Sequence, residues 1–145
     1  AAGYAEAGTI SAGPLVADIG KSPATVWASA LDGHPLGESR RLLFGHLTEA
    51  QAEGRRFSDP SKNVLLSWGA PPHLMRAGRA DIALALGRGR YCVHALASDG
   101  TRRFEVPCRA EGDVLRFTAD VAAEPTRATC LYEIVRQPGL NVLLR

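Results

Sequence analysis

Lysine is almost missing from this chain, with two residues against fifteen Arg, and runs of charge of either sign are absent. The formal net charge is +2 and the basic and acidic residues alternate along the chain without a basic stripe or an acidic tail, so nothing favours nucleic acid as a partner. The Arg, Ala and Gly excess reads as the coding bias of a GC-rich genome rather than as phosphate recognition. No apolar run approaches the ~20 residues a membrane-spanning helix requires, and no charged start leads into a signal-peptide core. The expectation is a soluble domain, secreted or periplasmic as part of a larger protein. Three Cys, at 92, 108 and 130, cannot all pair and lack zinc or redox spacing. His34, His46, His73 and His94 show no metal-ligand spacing either, and no Gly-x-Ser-x-Gly elbow holds a nucleophile. No metal and no cofactor is expected.

What the chain does have is alternation. In Val26 to Leu36 apolar residues alternate with small or polar ones and then stop at Asp32-Gly33, a pair that tolerates the φ > 0 of a hairpin turn. The same pattern recurs at Tyr91 to Leu96 before Asp99-Gly100, at Phe104 to Cys108 before Glu111-Gly112-Asp113, and at Val114 to Ala119. Further strands are expected at Thr9 to Ser11, Leu15 to Ile19, Ala24 to Leu31, Arg41 to Thr48, Val64 to Trp68, His73 to Arg76, Ala80 to Leu86, Arg102 to Cys108 and Ala128 to Val135. Between Thr48 and Gly54 a short helical turn is expected, and Ser58 to Ser61 reads as a loop. About ten short strands with no sustained helical period predict an all-β antiparallel two-sheet β-sandwich over residues 3–136, with a closed barrel as the alternative. Residues 137–145 are a tail, an added edge strand or a frayed end. The length and 46% hydrophobic content suit one such domain.

A two-residue loop at Asp99-Gly100 sets position 92 opposite 107, one residue out of register with Cys108. The three Cys are therefore read as small buried hydrophobes, with a Cys92–Cys108 bridge as the alternative. Trp27, in an alternating strand, is placed in the core. Trp68, before the rigid turn Gly69-Ala70-Pro71-Pro72-His73, is left open between core and surface.

The phrases Pro23 to Gly33, His46-Leu47-Thr48, Val64 to Gly69, Leu74 to Gly78 and Leu131 to Arg136 together resemble the β-sandwich domain that follows the catalytic barrel in large bacterial glycoside hydrolases of the family 42 β-galactosidase type. The resemblance implies a non-catalytic accessory domain, one piece of a longer protein, whose partner is a catalytic domain. It carries no active-site signature. Glu49, Glu53 and Asp59 are the only neighbouring carboxylates that suggest a glycosidase pair, and a solvated loop accounts for them better. No enzymatic activity is expected of the chain alone.

The alternative is an independent carbohydrate-binding module, in which an exposed aromatic platform at Trp68 is rimmed by His73, Glu49, Arg56 and Asp59. Contiguous exposed apolar surface would favour docking on a protein domain, and an isolated aromatic ringed by polar groups would favour sugar. A surface interaction domain unrelated to glycosidases is the third reading.

Overall fold

The computed structural model describes residues 1–138, which form fifteen strands and no helix. A six-stranded sheet runs in the order β1 (Ala2–Ala5), β4 (Ala24–Ala30), β5 (Arg41–Leu47), β15 (Leu131–Gln137), β11 (Arg90–Leu96), β12 (Arg102–Val106). Against it packs a five-stranded sheet in the order β13 (Cys108–Glu111), β14 (Val114–Asp120), β10 (Arg79–Ala85), β3 (Leu15–Asp18), β2 (Thr9–Ala12). Every pairing is antiparallel. The remaining strands, β6 (Ala50–Glu53) with β9 (Ala70–Met75) and β7 (Arg56–Phe57) with β8 (Leu65–Ser67), belong to neither sheet and form an arm between β5 and β10.

Alternation decides the core. Ala24, Val26 and Ala28 of β4, Leu42 and Phe44 of β5, and Tyr132 and Ile134 of β15 face Leu15, Ala17, Ile82, Leu84, Leu115 and Phe117 of the second sheet. Phe44 meets Phe117 edge-on at 5.3 Å between ring centroids, and Tyr132 lies 6.0 Å from both, so one aromatic trio ties the sheets together. The Tyr132 hydroxyl donates to the Asp120 carbonyl at 3.2 Å, which lets a phenol stand inside the core.

Both open edges are closed by strands that change sheet. Residues 102–108 were expected as one strand, but Pro107 has no N–H to give a ladder, and the chain turns there from β12 in one sheet to β13 in the other. At the opposite edge the chain passes from β1 to β2 through Gly8, at φ 81°, whose N–H donates to the Gly20 carbonyl at 2.7 Å. β1 itself escaped the sequence reading because Ala-Gly-Tyr-Ala carries little apolar signal.

Three local expectations need correction. Asp32-Gly33 does not close a tight hairpin: Ala30 pairs with Leu42, and a long loop intervenes, gathered by the Asp32 carboxylate. That carboxylate accepts from the Arg40 N–H at 2.7 Å and the Ser39 hydroxyl at 2.8 Å, contacts that hold its pKa at about 2. The Asp99-Gly100 loop has one residue more than expected, since the Ala97 N–H donates to the Thr101 carbonyl. An irregularity at Ala95/Leu96 then restores the predicted register, Val93 opposite Val106. Thr48 to Gly54 is extended, because a ladder with β9 replaces what a single helical turn could not sustain alone. The three Cys are half-buried and unbridged, with Cys108 now in a different sheet from Cys92. The expected behaviour of the tail lies, from residue 139, outside the described residues.

Candidate functional site

Most sheets of this kind turn polar side chains outward. The outward face of the six-stranded sheet mixes polar side chains with a large apolar share. From β1 to β15 it carries Tyr4, Trp27, Leu43, Leu47, Leu131 and Val135, with Tyr4 64% exposed, Leu47 39% exposed and the others half-buried. Leu31, just past β4, extends the patch. Trp27 was expected in the core. It lies instead on this outer face, because Val26 and Ala28 take the inward positions of β4, and its indole covers Gly45 of β5. A Cβ on Gly45 would stand 2.3 Å from the indole, so glycine here is what allows the ring to lie flat on the sheet.

In the middle of this face Glu133 of β15 is buried, its side chain 3% exposed, although it points away from the core. Arg41 Nε from β5 and Arg102 Nε from β12 each donate to one of its carboxylate oxygens at 2.5 Å. Burial alone pushes Glu133 toward protonation, but the hydrogen bonds from Arg102 and Arg41 prevail and hold its pKa below the usual value. The arrangement leaves the terminal amino groups of two half-exposed guanidiniums turned outward around an anchored carboxylate.

The arm begins where this face ends. β6 and β9 pair in register from Ala50 opposite Met75 to Ala52 opposite His73, then slip at Ala52/Glu53, so that Glu53 meets Ala70. Gly54 and Gly69 sit at the slip with φ 72° and 73°, and a Cβ on Gly69 would strike the Glu53 carbonyl. These two glycines let the ribbon double back. Lys62, from the loop between β7 and β8, reaches Glu49 at the root of the arm, which also holds Arg76 at 2.8 Å. The returned loop and the sheet face enclose a recess of about 380 Å³ lined by Tyr4, Thr25, Leu47, Glu49 and Lys62.

Trp68 is 78% exposed, and its neighbours on the same side of β8 are Val64 and Leu66, also exposed. Arg55 lies over the Phe57 ring at 4.9 Å, and neither Arg55 nor Arg56 has an ion-pair partner among the described residues. The five residues named from the sequence thus share one arm without forming one rim. Glu49 is at its root, and hydrogen bonds from Lys62 and Arg76 lower its pKa. Asp59 is in the terminal loop, its pKa lowered by the Ser58 and Ser61 hydroxyls. Arg56 opposes Ser67, and His73 opposes Ala52. The strands from Arg41 and Val64 are not neighbours, since β5 lies between β4 and β15.

The shifts at Glu49 and Asp59 run opposite to the raised pKa that a general acid needs. Among the described residues no three His, Cys, Asp or Glu side chains gather as metal ligands, and no helix is long and apolar enough to cross a membrane. The residues that sequence reasoning missed are Arg41, Arg102 and Glu133. Their one signal was an acid set between Tyr132 and Ile134 in an apolar strand. Comparison with protein-family models, with curated proteins and with solved structures produced no match.

Proposed function

We propose that this chain is a non-catalytic β-sandwich domain of a glycoside hydrolase that docks on a catalytic barrel through the outer face of its six-stranded sheet and the arm beside it. The observation that carries the docking role is the exposed apolar surface on both parts of the molecule: Tyr4, Leu31 and Leu47 on the sheet, and Val64, Leu66 and Trp68 on the arm. Monomeric domains rarely keep such patches bare. Trp68 also stands in a row of aliphatic residues rather than in a polar ring, which suits a protein partner better than a sugar. Arg41 and Arg102 on the sheet and Arg55 and Arg56 on the arm add outward positive charge, so the fitting partner surface is an apolar recess bordered by carboxylates. The glycosidase context rests on the sequence phrases alone.

The coding sequence upstream of Ala1 tests the context: a (β/α)₈ pattern is expected, and an isolated reading frame would remove it. Hydrogen exchange tests the surface. In the longer protein, amides of β8 and β9 should exchange more slowly than in residues 1–145 alone, and equal rates would exclude docking through the arm. The module reading predicts instead that the isolated chain is retarded on a neutral polysaccharide gel and that Trp68→Ala abolishes the retardation.

A further inference from the structure

The second sheet has an outer face of a different kind. An open groove of about 600 Å³ crosses all five of its strands, from Thr9 on β2 to Arg109 on β13, and adjoins a second hollow of about 560 Å³ that shares Asp18 and Asp81 with it. The first volume lies within the ~300–1,000 Å³ of small-ligand sites. We propose that this groove binds a neutral oligosaccharide.

Two like-charge pairs line the groove. Asp18 and Asp81 are direct cross-strand partners, as are Arg109 and Arg116. Each pair is offset within the protein, the aspartates by Arg79, whose Nη2 lies 3.8 Å from Asp81 Oδ1, and the arginines by Glu111. Each aspartate commits one oxygen inside the protein: Asp18 Oδ1 accepts from the Gly20 N–H at 3.0 Å, and Asp81 Oδ1 accepts from the Thr118 hydroxyl at 2.7 Å. The Oδ2 atoms have no protein donor among the described residues and face the groove as acceptors. The two arginines are tied through Nε to Glu111, at 3.1 and 3.2 Å, which leaves their terminal amino groups as donors at the other end.

Val16, 40% exposed, and Ala83 lie in the row beside Asp18 and Asp81, the same row that ends in Arg116 and Arg109, and supply an aliphatic floor. The sole aromatic residue at the groove, Phe117, points into the core. A ligand matching this surface must both donate and accept along its length and present C–H groups to the floor. It must carry no net charge, since an anion would meet Asp18 and Asp81 and a cation would meet Arg109 and Arg116. A chain of sugar rings meets all three conditions, and the missing aromatic platform implies weak, millimolar binding.

The test follows backbone amide shifts of the whole chain on addition of cellotetraose, maltotetraose and mannotetraose, with sodium phosphate as the ionic control. At least one saccharide should move the amides of Asp18, Asp81 and Thr118, and phosphate should not. Asp81→Ala and Thr118→Val should each weaken that response by about tenfold or more, with unchanged melting temperatures showing intact folds. No shift at these amides with any of the three saccharides, shifts centred on Trp68 instead, or an equal response to phosphate would each overturn the assignment. The groove and the docking surface occupy opposite sides of the sandwich, so failure here leaves the docking reading standing, and loss of docking leaves the groove.

Discussion

The two outer faces of this sandwich are built from the same strand alternation and differ in what the alternation turns outward. The six-stranded sheet shows Tyr4, Trp27, Leu43, Leu47 and Leu131 around one carboxylate so well covered that its side chain is 3% exposed. The five-stranded sheet shows Asp18, Arg79, Asp81, Arg109 and Arg116, whose carboxylates lie open, that of Asp81 66% exposed. An acid on the first face is part of the packing, while an acid on the second remains in water. Substitutions that are chemically alike should therefore have unlike consequences on the two sides.

The largest contrast is expected between Glu133→Ala and Asp81→Ala. Removing Glu133 deletes two charge-assisted hydrogen bonds and opens a gap in a packed surface. Both arginines can turn to solvent, so the cost should fall at about 2–3 kcal/mol, below the full penalty of a stranded buried charge. Asp81→Ala should leave the melting curve where it was. Equal shifts for the two variants would show that the faces do not differ in packing.

Gly45 gives the next contrast. Gly45→Val drives a side chain into the Trp27 indole and should destabilise by about 1–3 kcal/mol, because the ring must leave the sheet. Ala83→Val, at a half-buried position on the other face, should stay within ~0.5 kcal/mol. Trp27→Ala should cost about 2 kcal/mol rather than the ~3–5 of a fully enclosed aromatic, since only one side of the ring is covered. Chemical denaturation measures all three.

Acid should act first through neither face. His46, fully buried between the sheets, has no hydrogen bond of ordinary geometry at either ring nitrogen among the described residues, and burial lowers its pKa, only partly opposed by the Ala119 backbone and the Asp120 charge. The unfolded chain takes up a proton near the ordinary value of 6.5 that the folded chain refuses, so stability should decline as pH falls below that value. Glu133 has the same sign in a lower window. Its stabilisation is present above the ordinary 4.5 and disappears as pH drops through the lowered folded value. His46→Leu should flatten the first decline and leave the second. A variant that keeps both would place the proton uptake elsewhere.

Much of the fold was legible because alternation is a local signal: β3, β5, β10 and β14 stand close to where their residues predicted them. Which face an alternating residue takes is not local. Trp27 looked like core because tryptophan is large and apolar, and only the pairing of β4 with Gly45 on β5 shows that the flat space for it lies outside. Pro107 was read through as part of one strand, and which sheet the chain enters after it depends on partners far along the sequence. Glu133 was invisible as a functional signal because its two arginines come from strands 92 and 31 residues away. Trp68, Glu49, Arg56, Asp59 and His73 were grouped as a platform and its rim, and the arm that holds them was misread because a doubled-back ribbon leaves no periodic trace.

The smallest effect on stability is expected on the arm, where the consequence for docking is largest. Trp68 touches water over most of its surface, so Trp68→Ala in the isolated chain should change stability by no more than ~0.5 kcal/mol. If the arm docks, the same substitution in the longer protein removes an aromatic anchor from an interface, where such residues carry a disproportionate share of the binding energy, commonly ~2 kcal/mol or more. The two measurements together decide the matter. A variant silent in the isolated chain whose arm exchanges faster in the longer protein makes this apolar row an interface, and a variant silent in both makes it an idle surface. A variant that destabilises the isolated chain would mean that Trp68 packs on the sheet face in solution, so that the comparison between a covered face and an open one would have to be redrawn with the arm as the cover.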